Sequence, residues 1–451
     1  MTEKNQNSSP WRNPYFQTLN AWVGTDKDRT ENKTYWELNL DLDSFLAAQQ
    51  PQSQTPLVIE DQGPYQNLLH YLAAWESGRP LCLLPKTWPE KWKIEINERV
   101  SRMSDQIPAD CFYLLPTSGS TGSPKLVVVA RKNWKRLMQN LETIYRWPVG
   151  TRVALTFEGV FDPFIAMIFL TFDCGGTLVP LPSAQRFDIF RFMKEQAIQV
   201  WASVPSLVSL NWGRQQIAEL PQLQCSLFTG EVLTDALAKK WQALAPAATI
   251  DNLYGPVETT VWATHFRYLE TDGITLPIGR PFPGVNAKVE NQELIISGSQ
   301  VATGYLTNEG LQPFNENYCT GDLVIDDGGC FRFLGRRDQQ VKFLGSRVEL
   351  EATENAFFSE TGLGAICCLD EEQNICLVTS ATEKKLEFDP ETVGAALRRK
   401  LPGNHVPRFW YLIDFWRLLP SGKIDRALIR ELLLGRKLQP VQMLKGNHDN
   451  P

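Results

Sequence analysis

The stretch CFYLLPTSGSTGSPKLVVV, Cys111–Val129, holds two short apolar runs, Cys111–Leu115 and Leu126–Val129, separated by a loop crowded with hydroxyls. Runs of this length, rich in β-branched and aromatic residues and bounded by turn residues, read as strands. The connection runs Thr117, Ser118, Gly119, Ser120, Thr121, Gly122, Ser123, Pro124, Lys125. Glycines let backbone N–H groups converge on an anion, hydroxyls add donors, and a single lysine brings countercharge. A polyphosphate needs those three things. The spacing G-x-x-x-x-G-K-[ST] is absent, so this is not a Walker A loop. The plain alternative is a polar connection between strands, and nine residues alone do not decide between the two.

Working outward, further β-rich runs at Arg152–Leu155 and Thr177–Leu181 alternate with helical stretches at Trp134–Trp147 and Phe187–Gln199. That rhythm predicts an α/β core with mostly parallel strands. Gly- and Pro-rich segments, Leu276–Val285 and Ser297–Gly304, then lead into short strands of a small β-structured subdomain. Near Gly335 a second pattern starts, with helices expected at Glu349–Glu360, Pro390–Lys400 and Asp425–Leu434. The expected organisation is a large N-terminal domain over 15–337 and a small, mobile α+β C-terminal domain over 338–437. Polar, Pro-bearing tails at 1–14 and 438–451 are expected to fray.

The bulk numbers narrow the function. A chain of 451 residues has room for two or three domains, and 43% hydrophobic with 21% charged residues is a globular balance. A net charge of −6 offers no global positive field, so neither nucleic acid nor a membrane surface is an expected partner. No run approaches the roughly 18 apolar residues of a spanning helix, and MTEKNQNSSP lacks the order of a signal peptide, which makes the cytoplasm the expected location. Nine cysteines without a C-x-x-C pair suggest buried, reduced thiols. The four histidines, His70, His265, His405 and His448, are scattered, and no Ser-His-Asp set is evident.

Four later segments carry chemistry. In Asn252–Thr260, Glu258 is a lone carboxylate among small and hydroxylic residues, of the type that ligates Mg2+ beside a phosphate. Asp322 follows Thr320-Gly321 in a turn, where a carboxylate can accept two sugar hydroxyls. The run Gly335–Leu350 is charged and punctuated by glycine, and Leu419–Arg426 sets Lys423 on a Gly turn before a helix. Taken singly, each also reads as an ordinary surface turn.

Taken in order, these segments resemble the adenylate-forming superfamily, most closely its nonribosomal-peptide adenylation domains and D-alanine–carrier-protein ligases. Thr117–Lys125 is similar to its phosphate loop and Asn252–Thr260 to its Y-G-P-T-E-T segment, with Val257 departing from the usual threonine. Gly335–Glu349 matches G-R-x-D-x-x-x-K-x-x-G-x-R-[VI]-E at every fixed position, and Leu419–Arg426 resembles the closing P-x-x-x-G-K motif. Weaker echoes at Thr34–Leu38, Leu72–Gly78 and Glu293–Tyr305 extend the likeness over about residues 30 to 435. The resemblance implies ATP and Mg2+ as cofactors. It assigns Thr117, Ser118, Gly119, Ser120, Thr121, Gly122 and Lys125 to the phosphates, Tyr254 and Gly255 to adenine, and Glu258 to the metal and catalysis. It further assigns Asp322 to ribose, Arg336 to the nucleotide, Asp338 to an interdomain hinge, Lys342 to the channel that receives a thiol, and Lys423 to catalysis. The implied reaction converts a carboxylic acid to acyl-AMP with release of pyrophosphate, then passes the acyl group to a thiol.

The class of acid rests on Phe161-Asp162-Pro163-Phe164, an acid in an apolar segment. A buried lone carboxylate is expensive unless a cation pairs with it. By resemblance Asp162 binds the ammonium of an amino acid; alternatively, with Pro163 in the first turn, it caps a helix. The same match lines a largely apolar side-chain pocket with Ala166, Ala202, Leu227, Thr229, Leu253, Val261 and Trp262. The resemblance tilts the acceptor toward the phosphopantetheine of a carrier protein, with CoA as the alternative; a monomer is expected. Arg398, Arg399, Lys400, Arg408, Arg417, Lys423, Arg426, Arg430, Arg436 and Lys437 outnumber Asp414, Asp425 and Glu431, a basic run that either steers an acidic carrier or is a solvated face. An acyl- or aryl-CoA ligase of succinylbenzoate type and a non-catalytic adenylate-binding scaffold are the competing readings.

Overall fold

The computed structural model describes residues 9–24, 31–48, 55–86, 88, 90–117, 125–209, 211–212, 219–269, 275–315, 317–336, 341–343, 346–348, 350–370, 374–380, 389–401, 406–419, 423–435, 438 and 440–443. Three sheets build the part up to Arg336. A nine-stranded sheet runs in the order Arg280–Pro281, Thr264–Arg267, Thr249–Tyr254, Cys225–Thr229, Val200–Ser203, Arg152–Leu155, Thr177–Pro180, Asn20–Trp22, Lys33–Thr34. Its middle strands are parallel, as the strand–helix alternation predicts. A six-stranded sheet joins Gly310–Pro313, Gly304–Thr307, Lys125–Ala130, Cys111–Thr117, Leu81–Leu84 and Leu57–Glu60. The third sheet, an antiparallel one, pairs Val285–Glu290, Glu293–Gly298, Asn317–Asp327 and Cys330–Arg336.

The helix Asp162–Asp173 buries residues on every side, Phe164 through Phe172, as its almost wholly apolar sequence requires. Phe169 on this helix meets Phe112 and Trp134 edge to face, joining it to the six-stranded sheet and to the helix Arg131–Ile144. The opening residues join the same core. Trp11 is fully buried against Phe169 and Phe172, and Arg12 is paired with Glu76, so the expectation of a frayed 1–14 fails over its described part. Polarity around a single tryptophan concealed an anchor.

After Arg336 the hairpin Val341–Phe343 and Ser346–Val348 leads to a separate sheet of Ala365–Leu369, Ile375–Ser380, Phe409–Ile413 and Pro440–Met443. Helices Leu350–Thr361, Pro390–Lys400 and Arg426–Leu434 accompany it, and Ala356, Phe357, Leu377, Leu397 and Trp410 form a core of its own. Here too a tail is corrected: Pro440–Met443 completes the sheet beside Phe409–Ile413, and Leu438 packs on Trp416, Ile429 and Leu433. The expected helix over Phe187–Gln199 is shorter, Ile189–Glu195, because Ala197 turns left-handed at φ 48°. All nine cysteines are free and most are buried, but Cys319 is exposed. Among the described residues no helix is long and apolar enough to cross a membrane.

Candidate functional site

Strand register brings the first residues together. Asp322 and Arg336 are direct partners on the antiparallel pair Asn317–Asp327 and Cys330–Arg336. Gly321 takes φ +70°, and a Cβ there would lie 2.9 Å from Arg336 Nη2, so only glycine lets the guanidinium fold over the turn. Arg336 Nη1 donates to Asp322 Oδ1 at 2.7 Å and to the Thr320 carbonyl at 2.6 Å. The other carboxylate oxygen accepts the Tyr254 hydroxyl at 2.5 Å. Burial, then the charge of Asp322, pushes the Tyr254 phenol well above its usual range, so Tyr254 stays a donor. Below the turn, Glu293 accepts the Gly321 amide at 2.8 Å. Four sequence segments thus meet in one hydrogen-bonded set around a carboxylate, the group type that accepts sugar hydroxyls.

A second set lies alongside. Strand Gly304–Thr307 pairs with Lys125–Ala130, Leu306 beside Leu126, which places the Tyr305 ring 4.9 Å from Lys125 Nζ. The Tyr305 hydroxyl donates to Glu258 Oε1 at 2.5 Å and lies 3.3 Å from the Tyr318 hydroxyl. Lys125 and Glu258 are therefore joined through an aromatic ring that the sequence reading did not assign. The Glu293–Tyr305 echo contained Tyr305, so a signal existed; Tyr318 had none beyond its place two residues before Thr320. Thr117 and Lys125 face each other across an antiparallel pair, and the residues between them, Ser118 to Gly122 included, lie outside the described residues. Among the described residues no group of three or more His, Cys, Asp or Glu stands ready for a metal. Mg2+ takes one or two carboxylates and completes its shell with water and phosphate oxygens, so the buried Glu258 fits as its single protein ligand.

The third set surrounds Asp162. Its helix begins with Phe161 as the capping residue and no side-chain cap bond, so Asp162 is not acting as the cap. The carboxylate is 7% exposed, and its Oδ2 has no hydrogen-bond partner. Burial first, and then the charge of Glu258, pushes its pKa up to about 7, against the backbone amides of Asp162 and Val261 and the charge of Lys423. Lys423 reaches this place from the C-terminal part: a Cβ on Gly230, at the end of strand Cys225–Thr229, would lie 3.5 Å from its Cε and Nζ. Behind it, Lys240 Nζ sits 6.0 Å from the Trp212 ring and 5.8 Å from the Phe358 ring of the C-terminal part.

The predicted pocket residues Ala166, Ala202, Leu227, Thr229, Leu253, Val261 and Trp262 are all buried. In register, Leu227 lies beside Ala202 and Thr229 beside Leu253. Gly255 backs onto this wall, since a Cβ there would be 2.7 Å from the Val261 carbonyl oxygen and 2.8 Å from Trp262 Cα. Lys342 lies in the strand Val341–Phe343, and Asp338 falls outside the described residues. The basic run is partly neutralised internally, Arg426 by Glu354 at 2.5 Å and Lys400 by Glu360 at 2.6 Å.

A large α/β part followed by a small α+β part is also the fold of the solved Vibrio cholerae adenylation domain AlmE, 22% identical with a TM-score of 0.64 over 95% of this chain and 97% of that one. The chain belongs to the family of AMP-binding enzymes, which it matches over residues 41–306. It is 32% identical over 368 residues to delta-poly-L-ornithine synthetase of Acinetobacter baumannii, covering 74% of this chain and 27% of that protein. To the D-alanine–D-alanyl carrier protein ligase of Listeria innocua it is 31% identical over 367 residues, covering 71% of each. The crystal structure of IdnL7 superposes with a TM-score of 0.73 at 22% identity, over 92% of this chain and 95% of that one. The chain spans about a quarter of the Acinetobacter relative.

Proposed function

We propose that the chain activates an amino acid with ATP, forming aminoacyl-AMP and pyrophosphate, and then transfers the aminoacyl group to the thiol of a carrier protein. The observation that carries this reading is the unpartnered oxygen of Asp162, a buried carboxylate that feels the charges of Glu258 and Lys423. A substrate ammonium supplies the cation that such a group needs. Asp322 with Tyr254 and Arg336 then holds the ribose side of ATP, and Lys125 faces the phosphates. Mg2+ on Glu258, when bound, neutralises charge on the phosphate oxygens. Lys423, a compact cation, draws in the substrate carboxylate and offsets charge growing at the α-phosphate as the carboxylate oxygen attacks in line and pyrophosphate departs. No protein nucleophile is required; positioning and charge compensation supply the rate. Removal of the C-terminal part by rotation near Asp338 would open the adenylate to the incoming thiol.

The carrier as acceptor is favoured by the name of the Listeria relative, a carrier-protein ligase. Amino-acid-dependent ATP–pyrophosphate exchange tests the reading. Exchange driven by amino acids, and abolished in Asp162→Ala, is the expected outcome. Exchange driven by aryl or fatty acids, with no response to amino acids, would mean that Asp162 has been misread.

A further inference from the structure

Glu258 is held twice by one short segment. Its backbone carbonyl accepts the Ala302 amide at 2.8 Å, and three residues further on the Tyr305 hydroxyl donates to its Oε1 at 2.5 Å. Tyr305 stands on the strand Gly304–Thr307, whose next residue, Leu306, is buried in a core with Leu126 and Val128. Side chains alternate along a strand, so Tyr305 leaves that core on the opposite face, which it shares with its register partner Val127. Glu258 lies on that face.

The phenol is itself fixed in place. Phe314 meets its ring edge to face with centroids 4.7 Å apart, and Phe314 packs in turn on the Tyr318 ring at 5.1 Å. Backbone pairing anchors this contact, since the Phe314 amide donates to the Thr303 carbonyl at 3.2 Å. The Tyr318 hydroxyl lies 3.3 Å from that of Tyr305, and the Lys125 ammonium rests 4.9 Å from the centre of the Tyr305 ring. One side chain therefore touches, through different atoms, the carboxylate assigned to the metal and the lysine assigned to the phosphates.

A carboxylate that turns freely about its last bond must give up that freedom when a cation binds. A neutral hydroxyl held on one of its oxygens removes the freedom beforehand and adds no charge to compete with the cation. Resting on the assignment of Glu258 to Mg2+ above, we propose that Tyr305 is a positioning residue whose hydroxyl presets the Glu258 carboxylate for the metal that accompanies ATP. Tyr318 and Phe314 hold Tyr305 to that task.

Mn2+, followed by its electron paramagnetic resonance, is the probe, with the full chain and an ATP analogue whose α- and β-phosphorus atoms are bridged by a methylene. Tyr305→Phe keeps the ring, its packing on Phe314 and its contact with Lys125, and removes only the hydroxyl. It should weaken Mn2+ in the protein–nucleotide complex roughly 10- to 100-fold, with Tm and nucleotide affinity in EDTA little changed. In pyrophosphate exchange the Mg2+ concentration at half-maximal rate should rise in parallel, and saturating Mg2+ should restore most of kcat. Tyr318→Phe removes only the neighbouring hydroxyl; a smaller loss of Mn2+ affinity in the same direction is expected, even where Tyr305→Phe folds poorly. Mn2+ affinity unchanged in the folded variants, or a loss of kcat that no Mg2+ concentration repairs, overturns the proposal. Glu258→Gln separates this from the assignment beneath it: Mn2+ bound as well by that variant as by the wild type would remove Glu258 as the ligand, whatever Tyr305 does.

Discussion

Asp162 is the residue on which substrate class and pH behaviour meet. Its carboxyl is pushed up to about 7, chiefly by burial, so near neutrality a substantial fraction is protonated and cannot pair with an ammonium. kcat/KM for the amino acid should therefore rise with pH and level off above about 7, because that ratio reports the free enzyme. Asp162→Asn should flatten this limb while lowering kcat/KM by at least tenfold; a rise that survives the substitution assigns the titration elsewhere. Lys423 predicts a different signature. Lys423→Ala should slow adenylate formation by roughly 10²–10³-fold, the scale for removing one oxyanion-type donor, yet scarcely change the affinity for a preformed, non-hydrolysable aminoacyl-adenylate analogue. Equal losses in both would make it a general binding residue.

At the scale of elements, the placement of Lys423 depends on how the C-terminal part rests on the helix Asp235–Leu244. Lys240 on that helix lies between Trp212 and Phe358, the latter on helix Leu350–Thr361, and desolvation lowers its pKa. A cation between two rings contributes about 0.5–2 kcal/mol. Lys240→Ala should thus reduce the adenylation rate about two- to thirtyfold, with Lys240→Arg restoring most of it; stopped-flow pyrophosphate release measures this. An unaltered rate would show that Lys423 is positioned by other contacts. Much at this scale was legible: strand Arg152–Leu155 and helix Pro390–Lys400 fall where their apolar patterns end. The helix after Arg131 begins earlier than the pattern indicates, since the Asn133 side chain accepts the Ala130 amide and starts the helix directly from the strand. Trp11 and Pro440–Met443 were illegible as structure because their partners, Phe169 and Phe409–Ile413, lie far along the chain or in another element, and local polarity carries no trace of them. Site residues with a motif were readable; Tyr305 and Tyr318, which work through Glu258, became visible only once strand pairing set them beside it.

For the whole molecule, the site lowers stability before substrate arrives. Asp162 and Glu158 both have pKa values pushed up to about 7, each chiefly by burial, from ordinary carboxylate values near 4. Such groups hold their protons more tightly folded than unfolded across that interval, so the folded state loses stability as pH rises from about 4 to 7, by up to about 1.4 kcal/mol per pH unit for each group. Asp162→Asn should raise Tm at pH 8 and have little effect, or lower it, at pH 4.5; a gain of equal size at both would trace to packing instead. ATP and the cognate amino acid together should recover the same loss in the wild-type protein, since ligand binding to the folded state adds its own free energy.

The central claim is that five separated stretches form one site for nucleotide and amino acid together. A crystal structure with glycyl- or alanyl-sulfamoyl adenosine, a stable stand-in for aminoacyl-AMP, tests it most directly. The account predicts the ribose hydroxyls on Asp322, the ammonium on Asp162 Oδ2, and Lys423 within hydrogen-bond reach of the acyl linkage. A ligand bound away from Asp322 and Asp162, or an ammonium left in solvent with Asp162 untouched, would contradict it.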